Sequence, residues 1–575
     1  MGRRSYFLLA YGIYIAILIT VFTFLVPPFR KFDETDHFVR VMTVASGQFA
    51  CRPGAAGSAP YFLLPKRVFT FVDTLDRGIT EKFPVSLYKQ RYPFQGDAQT
   101  GKTYGCYLPF LGYVPQTLGA VASFPWNNLL VTFYFARIAA AVFFLVCFVA
   151  SLLLSPKRYQ AILMLVGALP TVLHQVTIVS YDATVISLSF LAFAMLTRGL
   201  EAKKIRFSSF LAFCLIIIYL VLAKPGYYVF ALLPLFLVKK LNTPLNKSLL
   251  LSTAICLGAL SVIYFVRLRV GQLGDDMYLR YQLSVTDPAY FLRVLYTSLT
   301  TLQERYVSGV LSTLGWFEYD LPISVVVIYL GLFGFVGYRT IQREKKTLSL
   351  AWSLMLLGTV IASILLLFYL FFVYATPVGQ STISGIQGRY FLPFILFGFL
   401  AISQIVANIG NKKSLYIGLG LVGVYLLYSI TSTIYTRYYD YTGLVSPDAS
   451  AEASQVPVKD YVLRASTAHI YPASVGKQIG GFQLQLANGK SSTVSAVYRY
   501  AIKDASCATS LQQGILDQER TQGSGVYTEY FPPFPSGERL CVEITPFSLR
   551  HTPVFLTVVS DAQNVPLVHF LYQLK

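Results

Sequence analysis

The 575-residue chain carries 47 Lys and Arg against 27 Asp and Glu, a formal net charge of +20, yet only 13% of its residues are charged while 55% are hydrophobic. Soluble domains carry about 25% charged residues, so half that fraction beside so much apolar content excludes disorder and argues against an ordinary soluble enzyme. A nucleic-acid partner needs its positive charge gathered into one exposed patch; from Asp440 onward there are ten Lys and Arg against eleven Asp and Glu, so the excess lies in the first 439 residues, as topology in a polytopic membrane protein.

Crossing a hydrocarbon core takes about 20 apolar residues. Eleven runs qualify or nearly so, at 5–26, 128–154, 160–178, 181–198, 207–223, 226–238, 248–267, 322–338, 349–374, 390–408 and 414–434. The fifth and sixth share the hinge Lys224-Pro225-Gly226, so one bent span is the alternative there. Alternate connections hold Arg3 and Arg4; Lys157 and Arg158; Arg198, Lys203, Lys204 and Arg206; Lys239, Lys240 and Lys247; Arg339, Arg343, Lys345 and Lys346; Lys412 and Lys413. Those seventeen basic residues face only two acids, Glu201 and Glu344, and short cytoplasmic loops carry such a bias. The N-terminus is therefore expected in the cytoplasm, and residues 27–127, 268–321 and the tail from about 440 outside it. Met1–Val26 has a basic start and an apolar core, but no small-residue cleavage site precedes Pro27, so it reads as a retained anchor.

Cys51 and Cys106 share the first external segment, and Cys507 and Cys541 share the tail; two pairs on an oxidising side fit two disulfides, with free thiols as the alternative. The five histidines are scattered and no Cys/His cluster has metal-ligand spacing, so no metal site is assigned, although a divalent ion stays open as a cofactor. Two further segments, 107–119 with its two prolines and 288–314 with Arg293, Glu304 and Arg305 among aromatics, read as helices lying in the membrane interface. From 445 to 575 short runs alternate apolar and polar residues between Gly and Pro turns, the pattern of an antiparallel β-sandwich. The expected organisation is a membrane domain over 1–435 and an extracytoplasmic β-domain over 445–575.

The first external segment opens Pro27-Pro28-Phe29-Arg30-Lys31-Phe32-Asp33-Glu34-Thr35-Asp36-His37-Phe38-Val39-Arg40. Carboxylates at the start of a helix favour its dipole, which is the plain structural reading. Asp33, Glu34, Asp36 and His37 packed into five residues at a membrane surface also make a candidate acid/base site, with Arg40 beside it. Other external span ends carry Tyr181 and Asp182, Lys224, and Gly385-Ile386-Gln387-Gly388-Arg389-Tyr390. Each suits an interface anchor. Together on one face, Lys224 and Arg389, with Gln387 and Tyr390, suit a lipid-linked phosphate held beside a general base.

Asp33, Glu34 and His37, the segment around Tyr107 and Pro109, and Lys224-Pro225 together resemble the GT-C class of membrane glycosyltransferases. More closely, Leu314-Gly315-Trp316 and Gly385-Ile386-Gln387-Gly388-Arg389-Tyr390-Phe391-Leu392-Pro393 resemble a family of bacterial membrane proteins known as a domain of unknown function, over about residues 5–435. The resemblance implies a GT-C-like fold and transfer of a sugar from a polyprenyl-phosphate carrier outside the cytoplasm, with Asp33 as base and Glu34 next. Phe32 stands where the pattern has proline, and Asp36 where it has a small residue, so Asp33, Glu34 and Asp36 all stay in play. It implies a bacterial cytoplasmic membrane, a surface glycan such as O-antigen or teichoic acid as acceptor, and an upstream donor synthase and flippase as partners. A transporter of lipid-linked sugars, a polysaccharide polymerase or ligase, and a non-enzymatic glycan-binding scaffold are the alternatives.

Overall fold

In the computed structural model, helices prevail up to residue 439 and strands beyond it. The structure describes residues 3–31, 33–52, 61–75, 83, 85–101, 108–224, 226–238, 240–241, 275–315, 319–342, 348–376, 380–406, 418–439, 459–463, 467–472, 478–485, 497–517, 526–535, 539–546, 556–560 and 568–573.

Helix α1 (Arg3–Thr20) runs into one π-helical turn, Val21–Leu25. The segment that follows holds α2 (Glu34–Ala45), α3 (Lys66–Leu75), a two-stranded ladder of Phe62–Pro65 with Ala98–Gly101, and α4 (Val114–Ala122). Then come α5 (Leu129–Leu154), α6 (Gln160–Gly167), α7 (Pro170–Val176), α8 (Tyr181–Glu201), α9 (Phe207–Ala223) and α10 (Leu235–Val238). Next in the described chain are α11 (Asp275–Thr286), α12 (Pro288–Thr301) and α13 (Gln303–Leu311). Helices α14 (Ile323–Gln342), α15 (Leu350–Tyr374), α16 (Leu392–Val406, preceded by the 3-10 turn Gly388–Phe391) and α17 (Gly418–Tyr438) complete this part. Polar caps set several starts: the Asn128 side chain accepts from the Leu130 amide at 3.0 Å, and Ser180 Oγ from the Asp182 amide at 3.2 Å.

Among the described residues, four helices are long and apolar enough to cross a membrane: α5, α8, α15 and the piece Gly388–Ile405 that contains the start of α16. A fifth is added if α6 and α7, bent by 75° where Pro170 follows Leu169, count as one span. Among the described residues, the eleven expected spans are thus corrected to four or five. Counting apolar residues measures composition, whereas spanning also needs one unbroken helix. The run at 226–238 is a 3-10 turn, Tyr228–Leu232, then Pro234 and the four-residue α10. Helix α9 has 17 residues, and the apolar part of the first helix is Tyr11–Leu25. The run at 248–267 lies outside the described residues.

Helix α8 forms the centre of the apolar core, where Phe190 and Phe193 meet Phe144, Phe148, Tyr159 and Phe397 edge-on. The outward faces of α5 and α15, with Val146, Leu153, Leu354 and Ile361 exposed, are the apolar surfaces a bilayer solvates. Within the run 107–119 the described residues form a 3-10 turn, Phe110–Tyr113, followed by the nine-residue α4. Beyond residue 439 the described strands are all antiparallel. One sheet orders Thr467–Pro472, Arg539–Pro546, Val497–Lys503 and Ser510–Asp517; another orders Val526–Pro535, Gln478–Gln485 and Val568–Gln573; Leu556–Ser560 pairs with Lys459–Leu463. Phe482 of the second sheet meets Tyr500 of the first, ring centroids 4.9 Å apart. A disulfide joins Cys507 to Cys541, which fits an oxidising compartment for the tail. Cys51 is also disulfide-bonded, while Cys106 lies outside the described residues.

Candidate functional site

The segment between the first helix and α2 turns sharply enough to put two non-glycine residues, Phe29 (φ 61°) and Asp33 (φ 54°), in the left-handed region. That conformation is unfavourable for a bulky L-residue and persists only where its surroundings over-determine it. Arg137, fully buried in α5, supplies that constraint. Its Nη1 donates to the carbonyls of Thr23 (2.9 Å) and Val26 (2.6 Å), and its Nη2 to that of Pro27 (3.0 Å). The same guanidinium grips Glu34 in fork geometry, Nε to Oε1 at 2.8 Å and Nη2 to Oε2 at 2.6 Å. Glu34 also accepts from the Phe29 and Val179 amides, both at 3.2 Å. Lys31, buried too, donates to Thr177 O and Oγ1, just past the end of α7, and to His174 O in its last turn. Burial in first place, and Arg137 in second, hold its pKa well below the ordinary lysine value.

Asp33, one residue earlier, faces the other way. Its Oδ2 accepts from Arg389 Nη2 at 2.6 Å, and its side chain keeps 35% exposure, against 7% for Asp182 and none for Glu34. Arg389 Nε lies 3.6 Å from Asp182 Oδ2, and Asp182 Oδ1 accepts from Lys224 Nζ at 2.5 Å. The ammonium sits 3.9 Å from the ring centre of Tyr390 and 4.6 Å from that of Tyr181, within cation–π range of both. Arg389 Nη2 donates a further bond to Tyr390 Oη at 3.2 Å. Four segments far apart in sequence thus meet in one chain, Asp33, Arg389, Asp182, Lys224, whose formal charges sum to zero.

His37, on the first turns of α2, shares a 2.6 Å hydrogen bond between Nδ1 and the Tyr113 hydroxyl, with the Tyr181 ring edge-on 4.8 Å away. Burial drives its pKa down to about 4, against the smaller opposing pull of Asp33 and Asp182. Near neutral pH it is an uncharged ring. Lys224 is lowered to about 8, by burial above all, with Asp182 opposing. Gln387 is buried and its Oε1 accepts no hydrogen bond; Asp182 Oδ2 likewise has no hydrogen-bond partner. Arg40 turns away from this group: Nε donates to Leu108 O (3.1 Å) and Nη2 to Phe49 O (2.7 Å), tying α2 to the chain around residues 49 and 108. Asp36 is half-buried on α2, and Trp316 lies outside the described residues.

Backbone contact explains why glycine precedes Arg389. A Cβ on Gly388 would stand 2.3 Å from Tyr306 O and 2.7 Å from Gly309 Cα, so only glycine lets α13 rest on this turn and fix the arginine. Gly112 does the same on the other side, where a Cβ would meet Tyr181 Cβ at 2.5 Å and Ala223 O at 2.8 Å, next to Lys224. Sequence reasoning grouped Asp33, Asp182, Lys224, Arg389, Tyr181 and Tyr390, which the fold brings together. It missed Arg137, Lys31 and Tyr113; an arginine inside the apolar run 128–154 was the available signal, since ionisable groups in spans have partners. Among the described residues, no three His, Cys, Asp or Glu gather as metal ligands.

A model of the family described as Predicted membrane protein (DUF2142) matches residues 16–397, a stretch containing all four members of the charged chain. No curated protein and no solved structure matches significantly.

Proposed function

The chain belongs to that family of membrane proteins, and on this premise we propose that it is a glycosyltransferase, moving a sugar from a polyprenyl-phosphate carrier to a cell-surface glycan at the extracytoplasmic face of a bacterial cytoplasmic membrane. The observation that carries the reading is the pairing of Asp33, the most exposed of the three carboxylates Asp33, Glu34 and Asp182, with the buried Arg389, which Asp182 links to a second buried cation, Lys224. Asp33 accepts the proton of an acceptor hydroxyl as its oxygen attacks the anomeric carbon. Arg389 and Lys224 stabilise the departing lipid phosphate, whose charge grows as the glycosidic bond breaks. One base and one leaving group give single displacement with inversion. Glu34 is spent on Arg137 and serves the loop rather than the proton.

Purified protein in nanodiscs, given polyprenyl-phosphate-linked hexoses, should release polyprenyl phosphate when surface glycan is added, and Asp33→Asn should abolish release. Full activity in Asp33→Asn, Glu34→Gln and Asp36→Asn, each made singly, would end the carboxylate-base reading. Mass spectrometry of surface glycans with and without the gene names the product: one missing hexose means side-branch addition, and shortened chains mean polymerisation.

A second reading, a transporter of lipid-linked sugars, draws on the 75° break between α6 and α7, since discontinuous helices line many transport sites. Movement of a labelled lipid-linked sugar across proteoliposomes without bond cleavage would favour it.

A further inference from the structure

The cluster has two cations, and each already holds a carboxylate. Arg389 Nη2 is 2.6 Å from Asp33, Lys224 Nζ is 2.5 Å from Asp182, and both cations are almost wholly buried. His37 beside them is neutral near pH 7. A phosphodiester therefore meets a set of zero net charge, and adding its own charge leaves one anion in excess in a poorly solvated place. Burying an uncompensated charge is strongly unfavourable. The anion can enter only by taking the place of a carboxylate already there.

The two carboxylates are not equally replaceable. Asp182 is buried at the head of α8, touches both cations, and has Ser180 capping its own amide. Asp33 touches Arg389 alone among them, by one oxygen, at the exposed edge. In this pairing the Asp33 oxygen is occupied by the guanidinium N–H rather than open to an acceptor hydroxyl. We propose that the phosphate of the donor displaces Asp33 from Arg389, and that this exchange converts Asp33 from ion-pair partner into base, so donor binding must precede proton abstraction. This inference rests on the glycosyltransferase reading and deepens it: an anionic carrier lipid is required to arm the site as well as to fill it. The charge balance closes. When the acceptor proton moves to Asp33 and the glycosidic bond breaks, the phosphate gains one negative charge as Asp33 loses one.

Carbodiimide labelling of carboxyls with glycine methyl ester, read by peptide mass spectrometry on the full chain in nanodiscs, tests the exchange without any turnover. Labelling of Asp33 should rise several-fold on adding a polyprenyl monophosphate, and stay level with the uncharged polyprenol, with buried Glu34 as the unlabelled internal control. Arg389→Gln should label Asp33 at the raised level with or without lipid. Unchanged or reduced labelling in the presence of a polyprenyl monophosphate that shifts Tm overturns this inference alone, and so does Arg389→Gln at the wild-type lipid-free level. If the monophosphate gives no Tm shift, the functional reading and the inference fall together.

Discussion

Two acid–arginine pairs stand one residue apart at the start of α2, and they behave oppositely. Glu34 and Arg137 are both fully buried, joined by two hydrogen bonds, and their remaining capacity is filled by backbone carbonyls and amides. Asp33 and Arg389 share one bond at the edge of a chain in which Asp182 lies 3.6 Å from the same arginine. A saturated pair holds a shape. An unsaturated one with a second claimant can trade partners, and chemistry needs that property.

Breaking the saturated pair should have the largest effect. Glu34→Gln leaves Arg137 buried without its counter-charge, a loss of about 3–5 kcal/mol; Tm in detergent and monodispersity on size exclusion should collapse, and the double change Glu34→Leu with Arg137→Leu should recover part of the loss. Asp33→Asn, by contrast, should leave Tm close to wild type and lower sugar transfer by about 10²–10⁴-fold, the range for removing a general base. A Tm loss equal to that of Glu34→Gln would erase the distinction between the pairs.

Acidity separates stability from binding at Lys224. Its pKa is about 8 in the fold against 10.5 ordinarily. Between those values the unfolded chain holds the extra proton, so this group adds stability as pH rises through the window. Affinity for a polyprenyl phosphate should move the other way, falling above pH 8, and Lys224→Arg should flatten that fall because a guanidinium keeps its proton. Parallel titrations of Tm and lipid binding check both signs. The smallest expected effect is at Gln387, whose buried Oε1 lacks a donor: Gln387→Leu should weaken binding of the sugar-bearing lipid a few-fold while leaving bare polyprenyl phosphate unchanged, within the range for one hydrogen bond.

What was legible in the sequence follows from this contrast. Charged residues at span ends are conspicuous in a chain with 13% charge, so Asp33, Asp182, Lys224 and Arg389 stood out before their contacts were known. Composition could not divide Asp33 from Glu34, because their roles depend on a left-handed residue at 33 that turns the two side chains to opposite partners. Arg137 was hidden for the reverse reason: its run is apolar enough to read as plain span. The span count failed where a helix breaks inside an apolar run, as at Pro170 and Pro234, since hydropathy carries no record of continuity. The tail was easier, because strand alternation and turn residues are local signals.

The last helix ends where the loop begins. Tyr438 donates its hydroxyl to the Arg30 carbonyl at 3.3 Å, accepts the Phe83 amide on its own carbonyl at 3.1 Å, and is followed by Tyr439, whose hydroxyl lies 3.1 Å from that of Tyr88. The covalent tether of the β-domain is thus moored three residues from Asp33. A displacement of that helix end would therefore be felt first at Arg30, in the turn that carries Asp33.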